Sequence, residues 1–140
     1  MIIMRGRKEK MADRCWIHMT FKEKDQKEFK NILGDIWDEE YAEKGTINAH
    51  TCEANYGLSD ERLELAEAGL AFYGYHGAGG DYGEIAFACY EGEEREINAD
   101  YDGKPVVNIY EDGLILDRDI DEAIKYWDIH KQAKEYIDGK

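Results

Sequence analysis

Proline and serine are almost missing from this chain: Pro105 and Ser59 are the only ones in 140 residues. That scarcity, with 12% aromatic residues, excludes a disordered linker and describes a packed domain. No apolar run approaches the roughly 20 residues of a membrane span. The opening Met1-Ile2-Ile3-Met4-Arg5 also lacks the apolar core of a secretory signal. A soluble, cytoplasmic protein with no membrane partner is therefore expected. Cysteine is scarce and odd in number: Cys15, Cys52 and Cys89 are widely spaced in a chain large enough not to need staples, so free thiols are expected. Cations are the shortage with the largest consequence. The chain has 18 Lys and Arg against 32 Asp and Glu, for a formal net charge of -14.

What is there suits one domain, since a chain of this size buries roughly two-thirds of its unfolded surface. Residues 1–10 differ from the rest, with Arg5, Arg7, Lys8 and Lys10 against Glu9. The string Gly6-Arg7-Lys8-Glu9-Lys10-Met11 could be encoded by a purine-rich ribosome-binding stretch ahead of a start codon. We therefore read residues 1–10 as a basic N-terminal extension, with Met11 as the expected native start. Residues 11–140 read as a single acidic domain of net charge -17.

Hydrophobic periodicity predicts alternating elements. Cys15, Ile17, Met19 and Phe21 alternate with Trp16, His18 and Thr20, which predicts a strand. Thr20 and Glu23 have capping-box spacing, and Phe29, Ile32, Leu33, Ile36 and Trp37 recur as on a helix, over roughly 22–37 unless Gly34 ends it early. Residues 46–56 read as a second strand. Ser59 is placed to cap a short helix that Gly69 stops. Four further strands are expected over 70–75, 84–90, 95–101 and 106–110, separated by Gly- and Asp-rich turns. Asp119 and Glu122 would cap a last helix whose Ile120, Ala123, Ile124, Trp127 and Ile137 form the docking stripe. The expected class is α+β, with a mainly antiparallel sheet in β-α-β-α-β-β-β-β-α order. Its first half would suit a ferredoxin-like split arrangement.

Candidate chemistry is sparse. Cys15-x-x-His18 and His50-x-Cys52 together resemble a zinc ligand set, but residues three apart on a strand point to opposite faces, so Cys15 and His18 cannot share an ion. Asp117-x-Asp119-x-Asp121 lacks the glycine and the final glutamate of a calcium loop, and acidic residues at the start of a helix explain it better. Gly74, Gly77, Gly79, Gly80 and Gly83 precede a strand rather than a helix, so they do not make a phosphate cradle. They read as a glycine-eased tip, with Tyr75, Asp81 and Tyr82 as contact residues. No cofactor is expected. The alternative to a binding protein is a small enzyme or ligand-binding domain using loop 73–84. There His76 would be the acid/base group, with Asp81 or Glu84 its orienter or a metal ligand, or Cys89 a thiol partner.

Charge supplies the direction. From Asn31 to Ile124 there are 24 Asp and Glu against Lys44, Arg62, Arg95, Lys104 and Arg118. Such a field repels nucleic acid and speeds encounter with basic protein surfaces. With clusters such as Asp38-Glu39-Glu40-Tyr41 and Glu91-Gly92-Glu93-Glu94 on patterned elements, the chain resembles small acidic accessory proteins of phages and mobile elements. Among these are anti-CRISPR and anti-restriction inhibitors. The resemblance implies an inhibitor that occupies the basic nucleic-acid-binding surface of a host defence complex. The expected contacts are Asp38, Glu39, Glu40 and Glu43, then Glu91, Glu93 and Glu94, and Tyr75, Asp81 and Tyr82 at the tip. A homodimer is compatible with the same reading.

Overall fold

The computed structural model describes residues 14–34, 37–43 and 45–139. The basic extension and Met11 lie outside the described residues, as does Ile36 of the first helical stripe. Nine main elements follow in chain order. They are β1 (Arg14–Lys22), α1 (Gln26–Leu33), β2 (Asp38–Glu43), β3 (Thr46–Asn55), α2 (Ser59–Glu67), β4 (Phe72–His76), β5 (Ile85–Tyr90), β6 (Glu93–Asn98) and α3 (Asp117–Asp138). The strands form one sheet in the order β2-β3-β1-β4-β5-β6, and every neighbouring pair is antiparallel. The class is α+β, as expected. The first six elements run β-α-β-β-α-β with β1 between β3 and β4, the ferredoxin-like arrangement, and β5 and β6 extend it.

The alternation along β1 explains the layering. Cys15, Ile17, Met19 and Phe21 point to one face and are buried there with Phe29 of α1, Leu65 and Ala66 of α2, and Phe72 and Phe87. Phe21 and Phe29 stack with ring centroids 4.0 Å apart. Burying each such side chain contributes roughly 1.5–3 kcal/mol. On the opposite face, α3 lays Tyr126 and Ile129 over Ala86, Ala88 and Ile97, and Ala133 and Ile137 over Ala71. That helix covers the β4–β6 side, which leaves Trp16, His18 and His50 on the other half of this face.

Several elements differ from the sequence reading, each for a physical reason. Residues 38–43, read as an acidic cluster after a helix, form edge strand β2. Its pairing with β3, from Asp38 opposite His50 to Glu43 opposite Thr46, needs backbone groups rather than apolar alternation. β1 runs on to Lys22, so Thr20 sits inside a strand, where its hydroxyl donates to Asn48 Oδ1 at 2.7 Å instead of capping a helix. α1 is correspondingly short and ends at Gly34. Ser59 is the first helical residue rather than the cap; Leu58, in the left-handed region, holds that place without a side-chain hydrogen bond. Gly69, at φ +77°, stops the following helix as expected, and its amide donates to the Ala66 carbonyl.

Residues 106–110 do not form the expected strand. The hairpin after β6 makes one isolated bridge, Ala99 with Pro105, flanked by hydrogen bonds from Val106 N–H to the Asn98 carbonyl and from Asp100 N–H to the Lys104 carbonyl, and pairs no further. The order is therefore β-α-β-β-α-β-β-β-α, with β2 gained and the last strand lost. α3 begins two residues before Asp119, whose carboxylate accepts the Tyr110 hydroxyl at 3.2 Å instead of capping. Its buried stripe is Tyr126, Ile129, Ala133 and Ile137, with Ala123 beside it, whereas Ile120, Ile124 and Trp127 are 42%, 54% and 49% exposed. The sheet surface beneath is alanine and tyrosine, and it accepts the phase that presents a ring and a small residue. Among the described residues no helix is long and apolar enough to cross a membrane.

Candidate functional site

The expected contact residues do not come together on one surface. Asp38 and Glu39 lie on edge strand β2, and Glu91, Glu93 and Glu94 lie on or beside edge strand β6. Five strand spacings separate the two edges, about 24 Å. Glu40 and Glu43 are placed on β2 by their backbone, and their side chains lie outside the described residues. Glu39 points toward α1, accepting a hydrogen bond from Gln26 Nε2 at 3.1 Å and pairing with Lys30 at 3.2 Å. Glu93 pairs with Arg95 at 2.6 Å. Glu94 is ion-paired with Arg62 of α2, which is only 1% exposed. Burial pushes the Glu94 carboxyl up, and Arg62 opposes that shift only in part. Asp38, Asp81 and Glu91 remain exposed, with no cation in ion-pair reach among the described residues.

Tyr75 and Tyr82 do not share a surface. Tyr75 faces the open side of the sheet opposite His18, while Tyr82 packs on the α1–α2 core against Tyr56 and His76. His76 is 3% exposed. Its Nδ1 lies 2.8 Å from the Gly77 carbonyl, and because a carbonyl only accepts, that nitrogen carries the proton. On the ring's other side stands Gly57, where a Cβ would come within 2.2 Å of the imidazole. Cys89 is buried as well, which pushes its thiol up to about 12 and leaves almost no thiolate at neutral pH. The pair proposed for acid/base or thiol chemistry is thus packed into the core. Among the described residues no group of three or more His, Cys, Asp or Glu is arranged to hold a metal ion. Cys15 lies in the core while His18 is exposed on the opposite face, as the strand spacing requires.

An aromatic patch on the open half of the sheet was not singled out from the sequence as a site. Trp16 lies 5.4 Å from Tyr75 and 5.8 Å from Tyr101, His18 stacks on Tyr75 at 5.1 Å, and His50 is 5.7 Å from His18. Tyr101 is 73% exposed. Its turn approaches so closely that a Cβ on Gly103 would stand 2.4 Å from the Tyr75 ring. The signal for this patch was the second face of the β1 alternation, Trp16 and His18, which was read only as the face away from the core. Chemically it offers rigid contact area rather than catalysis.

Three histidines give the fold a pH dependence. Burial holds His76 and His130 below the ordinary imidazole range, with Lys134 adding to the effect at His130, and partial desolvation with the neighbouring His50 lowers the more exposed His18. A lowered folded-state pKa means that the unfolded chain binds these protons first. Stability is therefore intact above about 6.5 and is lost as pH falls below it. The raised Glu94 and Asp25 carboxyls act in the opposite sense, favouring the fold where they are protonated. Urea midpoints should fall between pH 7.5 and pH 5.5, and His76→Gln should flatten that profile. A midpoint that rises on acidification would contradict the assignment.

No family model matches the chain, and neither the curated proteins nor the solved structures include a significantly similar one.

Proposed function

We propose that this chain is an acidic protein-binding inhibitor that covers a basic, nucleic-acid-binding surface of a partner complex. Host defence complexes of the CRISPR or restriction class present such a surface. The observation that carries the reading is the charge, 24 acidic against five basic residues from Asn31 to Ile124. Carboxylates of this number, where they are not consumed by local cations, steer association with a basic surface and repel nucleic acid. Asp38, Asp81 and Glu91 are the exposed carboxylates best suited to meet Lys and Arg of the partner. The aromatic patch around Trp16, Tyr75 and Tyr101 supplies the desolvated anchor that charge alone does not.

The test is a pull-down from host lysate on the immobilised chain, washed at low and then high salt, with the eluted proteins identified by mass. A nucleic-acid-binding protein should elute with salt, and added nucleic acid should compete for it. Reversing Asp38, Asp81 and Glu91 together to Lys should weaken that capture roughly tenfold. Capture indifferent to salt and to these substitutions would sink the reading.

A further inference from the structure

Two histidines stand side by side on the face of the sheet away from the α1–α2 core. Antiparallel pairing sets His18 of β1 directly opposite His50 of β3, and sets Asp38 of β2 opposite His50 on its other side. Residues directly opposite in such a pair point to the same face, with Cβ atoms about 4.5–5.5 Å apart. Asp38, His50 and His18 therefore form one row across three strands, on the half of this face that α3 leaves open. Asp38 and His18 are exposed and His50 is half-buried. The two imidazole centroids lie 5.7 Å apart, with 37° between the ring planes.

We propose that His18 and His50 together bind one divalent transition-metal cation of the class that prefers imidazole, with Zn²⁺ as its probe, while Asp38 orients the His50 ring and water fills the remaining positions. An ion about 2.1 Å from one nitrogen of each ring sets the two centroids roughly 5–6 Å apart, so the observed spacing asks for rotation of side chains and no movement of the strands. His18 is already confined, stacked on Tyr75 at 5.1 Å with Trp16 edge-on at 5.5 Å, so it loses less freedom when it ligates. A carboxylate that accepts the second N–H of a ligating imidazole fixes its tautomer and raises its basicity. Asp38 is the carboxylate in register for that role, and it has no ion pair among the described residues.

The pair falls short of the three-residue groups that enclose an ion, so the site is open to solvent. The net charge of -14 favours any cation, and the imidazole pair selects which one: Mg²⁺ and Ca²⁺ seek oxygen, whereas Zn²⁺ and Cu²⁺ accept nitrogen. The other two histidines do not compete. His76 is 3% exposed with Nδ1 on the Gly77 carbonyl, and His130 is packed among Tyr73, Tyr126 and Trp127. Cys52 is the competing donor, exposed and two residues along β3 from His50. Binding here needs no protein partner, so this site and the inhibitor reading fail separately.

Zn²⁺ titrated into the untagged full chain, with Mg²⁺ in excess, should bind at one ion per chain by calorimetry. In proton NMR spectra the imidazole signals of His18 and His50 should shift together while those of His76 and His130 stay in place. His18→Gln and His50→Gln should each weaken binding at least about tenfold, Asp38→Asn by less, and Cys52→Ser not at all. Metal-free melts close to the parent's show that the variants are folded. No binding up to millimolar Zn²⁺, displacement of Zn²⁺ by Mg²⁺, binding retained in both histidine variants, or binding lost in Cys52→Ser would each overturn the proposal.

Discussion

Arg62→Ala should cost the fold about 3–5 kcal/mol at neutral pH, a large part of the 5–15 kcal/mol that holds a typical domain. Arg62 sits on α2 with 1% of its surface exposed. Its Nε donates to the Gly57 carbonyl at 3.0 Å, Nη1 pairs with Glu94, Nη2 pairs with Glu96 at 2.6 Å, and the guanidinium lies 4.5 Å from the Phe87 ring centroid. Truncation leaves a cavity over Phe87 and an unpaired Gly57 carbonyl. Above all it strands the Glu94 side chain, which is 10% exposed, with no counter-charge in a desolvated place. Glu96 adds less, because at 43% exposure water can replace its partner.

The loss should depend on pH in a definite direction. Burial already raises the Glu94 carboxyl with Arg62 present, and removing the cation raises it further. A carboxyl with a raised folded-state pKa stabilises the fold where it is protonated and loses that contribution as pH rises through the folded value. Arg62→Ala should therefore be least harmful near pH 5 and most harmful above pH 7, and Glu94→Gln in that background should recover part of the loss at pH 7. Urea titrations of the single and double variants check this. Equal destabilisation at both pH values would mean that the cavity, not the stranded charge, sets the cost.

Arg62 also illustrates what the sequence could and could not reveal. β1 was legible because one face is buried, so its side chains alternate, β3 because it is rich in Thr, Asn and Ile, and Gly69 because a helix stop wants a left-handed residue. β2 was not legible: an edge strand built from Asp and Glu is held through its backbone, which leaves no trace in hydropathy. The phase of α3 was misread because isoleucine and tryptophan outrank tyrosine and alanine on any hydrophobic scale, while the sheet beneath accepts Tyr126 and Ala133. In the candidate site, counting carboxylates could not show that Glu39 and Glu94 were taken by Lys30 and Arg62. One signal was available, since Arg62 shares helical spacing with the buried Leu65 and Ala66 and so lies on their stripe.

Gly74→Ala should destabilise the fold by about 4 kcal/mol, the joint result of an overpacked contact and lost ladder hydrogen bonds. Gly74 lies in β4 between Met19 of β1 and Phe87 of β5. A Cβ there would stand 2.0 Å from the His18 carbonyl oxygen and 3.0 Å from Met19 Cα. These are backbone atoms, so no rotamer change relieves the clash, and the strands must part. What parts is the junction of the sheet, because β1–β4 pairing is the single seam joining β2-β3-β1 to β4-β5-β6. Its four residue pairs also hold Tyr75 against His18, so the aromatic patch should come apart with it. Gly83 in the same glycine cluster is the control: a Cβ there meets nothing within 4 Å, and alanine should change stability by no more than about 0.5 kcal/mol. Thermal and urea unfolding of the two variants would separate a glycine required by backbone approach from one that is merely in a loop. If Gly74→Ala unfolds with the parent's midpoint, β1 and β4 are not packed as closely as the 2.0 Å approach requires.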